Sequence, residues 1–210
     1  MASELTLYHC PQTRSTGVLA LLAELNAPYQ LHAMNMKQGE NRAPAYLAIN
    51  PMGKVPAIVH DGALVTEQVA IYIYLADLYP QAGLAPALGD PLRGPYLRWM
   101  ALYGTCFEPA VVDNWMKRTP VDKMACAYGD FEAIFKLFTD QLAKGPYLLG
   151  DRFSAVDILW GTSMGWMNAF KLLPDSELIA AYAERIGSRP AVAAARAKDA
   201  ELVAANANIA

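Results

Sequence analysis

The stretch from Asn50 to Gln68 constrains this chain more than any other. It reads NPMGKVPAI, then a second apolar run, AlaLeuValThr, across Asp61-Gly62, then Glu67-Gln68 at the head of a helical segment. Asp-Gly between two short apolar runs is a turn-favouring centre, so the two runs form a hairpin. A Val-Pro step leading into a strand is a natural place for a cis peptide bond. Such a bond turns the Val55 backbone outward and leaves its N–H and C=O available to an extended peptide ligand. Glu67 and Gln68 bring a carboxylate and an amide to a helix N-terminus, where unpaired backbone donors favour an anionic group. A ligand carrying both an ammonium and a carboxylate suits that pair.

The segments around this stretch set the fold class. LTLYHC reads as a strand, Ser15 to Leu25 has helical spacing and propensity, and residues 29–34 alternate as a second strand. Residues 45–50 are a short helical segment, followed by the hairpin and a helix from Glu67 to Leu78 that stops at Tyr79-Pro80. The order is β-α-β-α-β-β-α over residues 1–80. From 81 to 91 proline, glycine and alanine accumulate and periodicity is lost, which marks a linker. Strand signals then fade, and helical segments beginning at Leu92, Ala127, Ser154 and Leu178 predict an all-helical second domain over 92–210. Ser154 and Asp157 have capping-box spacing, a structural role for that carboxylate.

Composition narrows the function classes. With 17 Lys+Arg against 20 Asp+Glu the net charge is −3, and no basic cluster marks a surface for nucleic acid. Hydrophobic residues make up 54% and charged residues 18%, a balance that excludes a disordered chain. Neither a leader pattern at the amino terminus nor a run of eighteen apolar residues appears, so a cytoplasmic protein without a membrane partner is expected. Cys10, Cys106 and Cys126 are odd in number and far apart, and His9, His32 and His60 lack paired spacing. No disulfide framework and no metal site are therefore expected.

NPMGKVPAI, TEQVAIYIYLADLYP and LLGDRFSAVDILW, in this order and spacing, closely resemble the cytosolic glutathione transferases, particularly the bacterial, beta-like ones. The resemblance covers nearly the whole chain. It implies a thioredoxin-like domain followed by a helical one, glutathione as co-substrate, and a homodimer. Carried over by position, it implies that Val55 pairs through its main chain with the cysteinyl part of glutathione, beside a cis Pro56. It places Lys54 near the glycyl carboxylate. Glu67 and Gln68 take the γ-glutamyl end, although many members have serine where this chain has Gln68.

Glutathione reacts as its thiolate, and a free thiol is only a few per cent ionised at neutral pH. A hydroxyl or thiol donor near a helix N-terminus stabilises the sulfur anion. The loop from Tyr8 to Thr16 holds the four candidates that the resemblance points to: Ser15, Thr13, Cys10 and Tyr8, the last matching the tyrosine used in one branch of the family and also suiting packing within the strand. Ser15 also suits a plain helix cap, and Cys10 also suits a small buried filler. In the beta-like class the reactive cysteine falls where this chain has Arg14, a departure from the pattern.

Three functions follow. The first is ionisation of the glutathione thiol and its conjugation to an apolar electrophile, with Tyr103, Cys106, Phe107 and Trp115 walling an apolar pocket. The same four residues also suit ordinary helical core. The second is glutathione-dependent disulfide exchange or peroxide reduction through Cys10. The third is a non-catalytic binding or regulatory module on the same fold.

Overall fold

The computed structural model describes residues 4–120 and 122–207. The first unit opens with strand β1 (Leu5–His9), helix α1 (Ser15–Glu24) and strand β2 (Gln30–Ala33). Two short 3-10 turns and helix α2 (Pro44–Leu47) lead to the hairpin strands β3 (Ala57–His60) and β4 (Ala63–Thr66), and then to helix α3 (Gln68–Leu78). The sheet order is β2-β1-β3-β4, with β1 and β2 parallel and the other pairs antiparallel. This is the expected thioredoxin-like β-α-β-α-β-β-α arrangement.

Alternation along β1 assigns its two faces. Leu5, Leu7 and His9 are buried on the side of α1 and α3, where Val18, Leu21, Leu22, Ile71 and Leu75 complete the core. Tyr8 points to the other side, its ring 5.0 Å from His32 and 5.6 Å from Tyr46 of α2. Tyr8 is therefore a packing residue of the sheet.

The second unit runs from Gly83 to Ser188. It holds helices α4 (Arg93–Leu102), α5 (Glu108–Trp115), α6 (Phe131–Leu142), α7 (Ala155–Ala169) and α8 (Glu177–Gly187), with a π-helical turn, Tyr103–Phe107, joining α4 to α5. Its core is aromatic. The Trp160 ring lies 4.4 Å from Phe138, 4.7 Å from Phe107 and 5.4 Å from both Tyr103 and Trp99. The Trp160 Nε1–H donates to the Trp99 carbonyl at 3.0 Å. Ser154 and Asp157 form the capping box at the head of α7.

One expectation is corrected. The helix expected from Ala127 begins at Phe131, because Asp130 caps it by accepting the Ala133 N–H at 2.8 Å. A last helix, α9 (Pro190–Ala207), groups with the first unit, packed along α1. Arg189, just before it, clamps Glu24 of α1 with bonds of 2.5 and 2.8 Å, and Lys198 sits 5.3 Å over the Tyr29 ring.

Candidate functional site

Strand register brings the proposed ligand-binding residues to one end of the sheet. Tyr8 lies opposite Ala57, and Ala57 opposite Thr66. The loop leaving β1, the Val55-Pro56 step entering β3 and the Glu67-Gln68 pair leaving β4 therefore emerge together. Pairing alone produces this, since β3 runs antiparallel to both neighbours.

Val55-Pro56 is cis. Neither the N–H nor the C=O of Val55 bonds to another described residue, whereas the turn before it is braced from three sides. The Tyr46 hydroxyl and the Asn50 amide donate to the Lys54 carbonyl at 2.6 and 2.8 Å, and Asn41 donates to the Gly53 carbonyl at 2.9 Å. Gly53 has φ +59°, and a Cβ there would stand 2.7 Å from the Asn41 carbonyl oxygen, so only glycine fits. The Lys54 side chain is exposed.

Glu67 has φ +66° and is not glycine, a backbone state that costs about 1–3 kcal/mol and persists only where neighbours enforce it. It caps α3 without a side-chain cap bond, so its exposed carboxylate is not spent on its own helix. The Gln68 Nε2 donates to the Arg14 carbonyl at 3.2 Å, tying α3 to the β1–α1 loop. Its Oε1 is buried and accepts no hydrogen bond. Gln68 thus presents an acceptor where serine would present a donor.

Within the loop the candidate donors are committed inward. Ser15 is fully buried; its Oγ accepts the Cys10 N–H at 3.1 Å and lies 2.8 Å from His9 Nδ1 and 2.7 Å from Thr13 Oγ1. The Thr13 hydroxyl donates to the Cys10 carbonyl at 2.7 Å. Both hydroxyls serve as the loop's internal brackets. Cys10 is 7% exposed; burial pushes its thiol up, and the Asp199 and Glu40 charges add to this against a Met36 backbone bond that lowers it. The site therefore disfavours the thiolate. The Thr13 backbone N–H has no partner among the described residues, at the N-terminus of α1 beside the exposed Arg14.

Of the four residues expected to wall an electrophile pocket, Tyr103 and Phe107 are buried, Cys106 is half-buried and Trp115 is exposed. Tyr103 and Phe107, one helical turn apart, both point into the aromatic core, and the Tyr103 hydroxyl lies 2.8 Å from Ser163 Oγ. Trp115 is 61% exposed, and Cys106 is half-buried with its thiol donating to the Ala127 carbonyl at 3.3 Å. An open groove of about 320 Å³ in the second unit is lined by other residues, among them Leu142, Pro146, Tyr182 and Arg185. Among the described residues no cluster of three or more His, Cys, Asp or Glu is placed to hold a metal, and no helix is long and apolar enough to cross a membrane.

The architecture is that of a thioredoxin-like unit, with an unpaired peptide group before β3, followed in the chain by a helical unit. Residues 3–77 match the glutathione S-transferase N-terminal domain and residues 109–185 the C-terminal domain. The chain belongs to the glutathione S-transferase family. It is 29% identical over 189 residues to glutathione S-transferase GstA of Escherichia coli O157:H7, covering 89% of this chain and 94% of that one. It superposes on a glutathione transferase from Methylococcus capsulatus with a TM-score of 0.79 at 32% identity, covering 93% and 98%. A sphingomonad glutathione S-transferase complexed with glutathione matches with a TM-score of 0.73 at 29% identity, covering 93% and 98%.

Proposed function

We propose that this protein binds glutathione at the sheet end and conjugates its thiol to apolar electrophiles. The observation that carries this reading is the unpaired Val55 peptide group, held out by a braced turn on the same sheet end as the exposed, strained Glu67. Val55 would take the cysteinyl main chain, as one strand takes another. The Glu67 carboxylate would take the γ-glutamyl ammonium, with the buried Gln68 Oε1 as a second acceptor, and the free N–H groups at the start of α3 would take the α-carboxylate. Lys54 lies on the loop where the glycyl carboxylate would end.

Thiol ionisation then falls to the Thr13 residue through its backbone N–H rather than its hydroxyl, with the positive end of α1 and the Arg14 guanidinium adding potential. The burial of Cys10 and the carboxylates near it work against the redox alternative. Glutathione-agarose retention, calorimetry and conjugation of a generic aryl halide test the reading. Glu67→Ala should weaken glutathione binding by about 10- to 100-fold, the loss of a charge-assisted bond. Unchanged affinity in that variant refutes the site, and a wild-type protein that binds glutathione without turnover points to the non-catalytic module.

A further inference from the structure

We propose that Asp199, near the carboxyl end of the chain, is a positioning residue for the Cys10–Arg14 loop, acting through Gln12, Thr16 and His9. This rests on the conjugation reading above, because the loop matters to the reaction only if it faces the glutathione sulfur.

Asp199 is 7% exposed on α9, a helix otherwise rich in alanine, and both its oxygens are spent on this one loop and its flanks. Oδ2 accepts the Gln12 N–H at 2.9 Å. Oδ1 accepts the Thr16 hydroxyl at 2.6 Å and lies 3.3 Å from His9 Nε2, within ion-pair reach though off a straight hydrogen bond. Burial opposes the Asp199 charge, but the nearby His9 ring and the bonds from Thr16 and Gln12 outweigh it and hold the carboxyl below its usual range. Gln12 is the pivot. It is a non-glycine residue at φ +57°, a conformation that needs outside support, and Asp199 holds its N–H there.

The bracket continues inward. His9 Nδ1 meets Ser15 Oγ at 2.8 Å, and Ser15 Oγ takes the Cys10 N–H. One buried carboxylate thus reaches both ends of the loop, directly at Gln12 and through His9 and Ser15 at Cys10. A separate tie, Arg189 on Glu24, joins the residue before α9 to the far end of α1 and touches no residue of the loop. The Thr13 N–H assigned to the thiolate follows Gln12, and its direction depends on the Gln12 backbone.

The test compares Asp199→Ala, Asp199→Asn and Arg189→Ala in the full chain by hydrogen exchange of the 10–16 amides and by steady-state conjugation. Asp199→Ala should speed exchange in the loop and lower kcat by about tenfold or more, a misplacement effect, while KM for glutathione stays near wild type because Val55 and Glu67 are untouched. Asp199→Asn keeps one oxygen for the Gln12 N–H and should recover part of both; it also serves if the alanine variant does not fold. Arg189→Ala, which loosens the same helix away from the loop, should leave loop exchange and kcat near wild type. The proposal is overturned if loop exchange in both Asp199 variants matches wild type, or if Arg189→Ala lowers kcat as far as Asp199→Ala. A wild-type protein without turnover refutes the conjugation reading separately, and loop exchange still decides whether Asp199 holds the loop.

Discussion

Asp157 offers a pH test with a definite sign. Its carboxylate is fully buried at the head of α7. It accepts the Leu148 N–H at 2.8 Å, the Tyr182 hydroxyl at 2.9 Å, and the Ser154 N–H and hydroxyl at 2.9 and 3.1 Å. Burial pushes its carboxyl up to about 6, with these four bonds pulling the other way. A folded-state value above the unfolded one means that the associated stability is fully present below about pH 4 and is lost as pH rises through 6. Acidification should therefore stabilise this unit, by about 1.4 kcal/mol at pH 5 and at most about 3 kcal/mol near pH 4.

Asp157→Asn removes the titration and keeps the shape. Its oxygen can still serve Leu148 and Tyr182, but its NH₂ then faces the Ser154 N–H, donor against donor, a lost cap worth about 1–2 kcal/mol at neutral pH. The gap between wild type and variant should widen from that value to roughly 3 kcal/mol at pH 5. Urea unfolding followed by tryptophan fluorescence measures it, since Trp99, Trp115, Trp160 and Trp166 all lie within the second unit. A gap that is constant, or that narrows on acidification, refutes the reasoning: the four hydrogen bonds would then outweigh burial.

Cys10→Ala should retain conjugation of an aryl halide at neutral pH, and loss of turnover there would restore a chemical role to that thiol. Gly161→Ala should cost about 1–3 kcal/mol in denaturant unfolding, because a Cβ on α7 runs into the Ile186 side chain of α8; an unchanged midpoint would mean the two helices separate freely. Phe107→Ala should cost about 3–5 kcal/mol, the loss expected of a fully buried core ring rather than of a pocket wall. Sedimentation should give twice the 22.9 kDa chain mass, with the half-buried Val69 and Ile73 of α3 as an apolar contact face; a mass of one chain excludes the dimer.

Local chemistry made much of the first unit legible. Alternation identified the strands, Asp61-Gly62 the hairpin and Val55-Pro56 the cis step, since each depends on residues within a few positions of one another. The same holds for Ser154 and Asp157, whose spacing alone predicts the box at α7. Asp130 carries an equally local capping signal for α6, three residues beyond the point at Ala127 where helical spacing starts.

What the tertiary structure decided was which of those residues remain available. Ser15 and Thr13 read as free hydroxyls in one dimension, yet His9 and the Cys10 backbone take them, because β1 delivers His9 to the same buried face as the head of α1. Helical spacing suited Tyr103 and Phe107 equally to a pocket and to a core; packing against Trp160 chose the core. Asp199 had no local signal at all, one carboxylate in an alanine-rich helix more than 180 residues from the loop it holds. Periodicity reports the face of an element, but a hydrogen-bond partner so distant in sequence is determined only when the chain closes on itself.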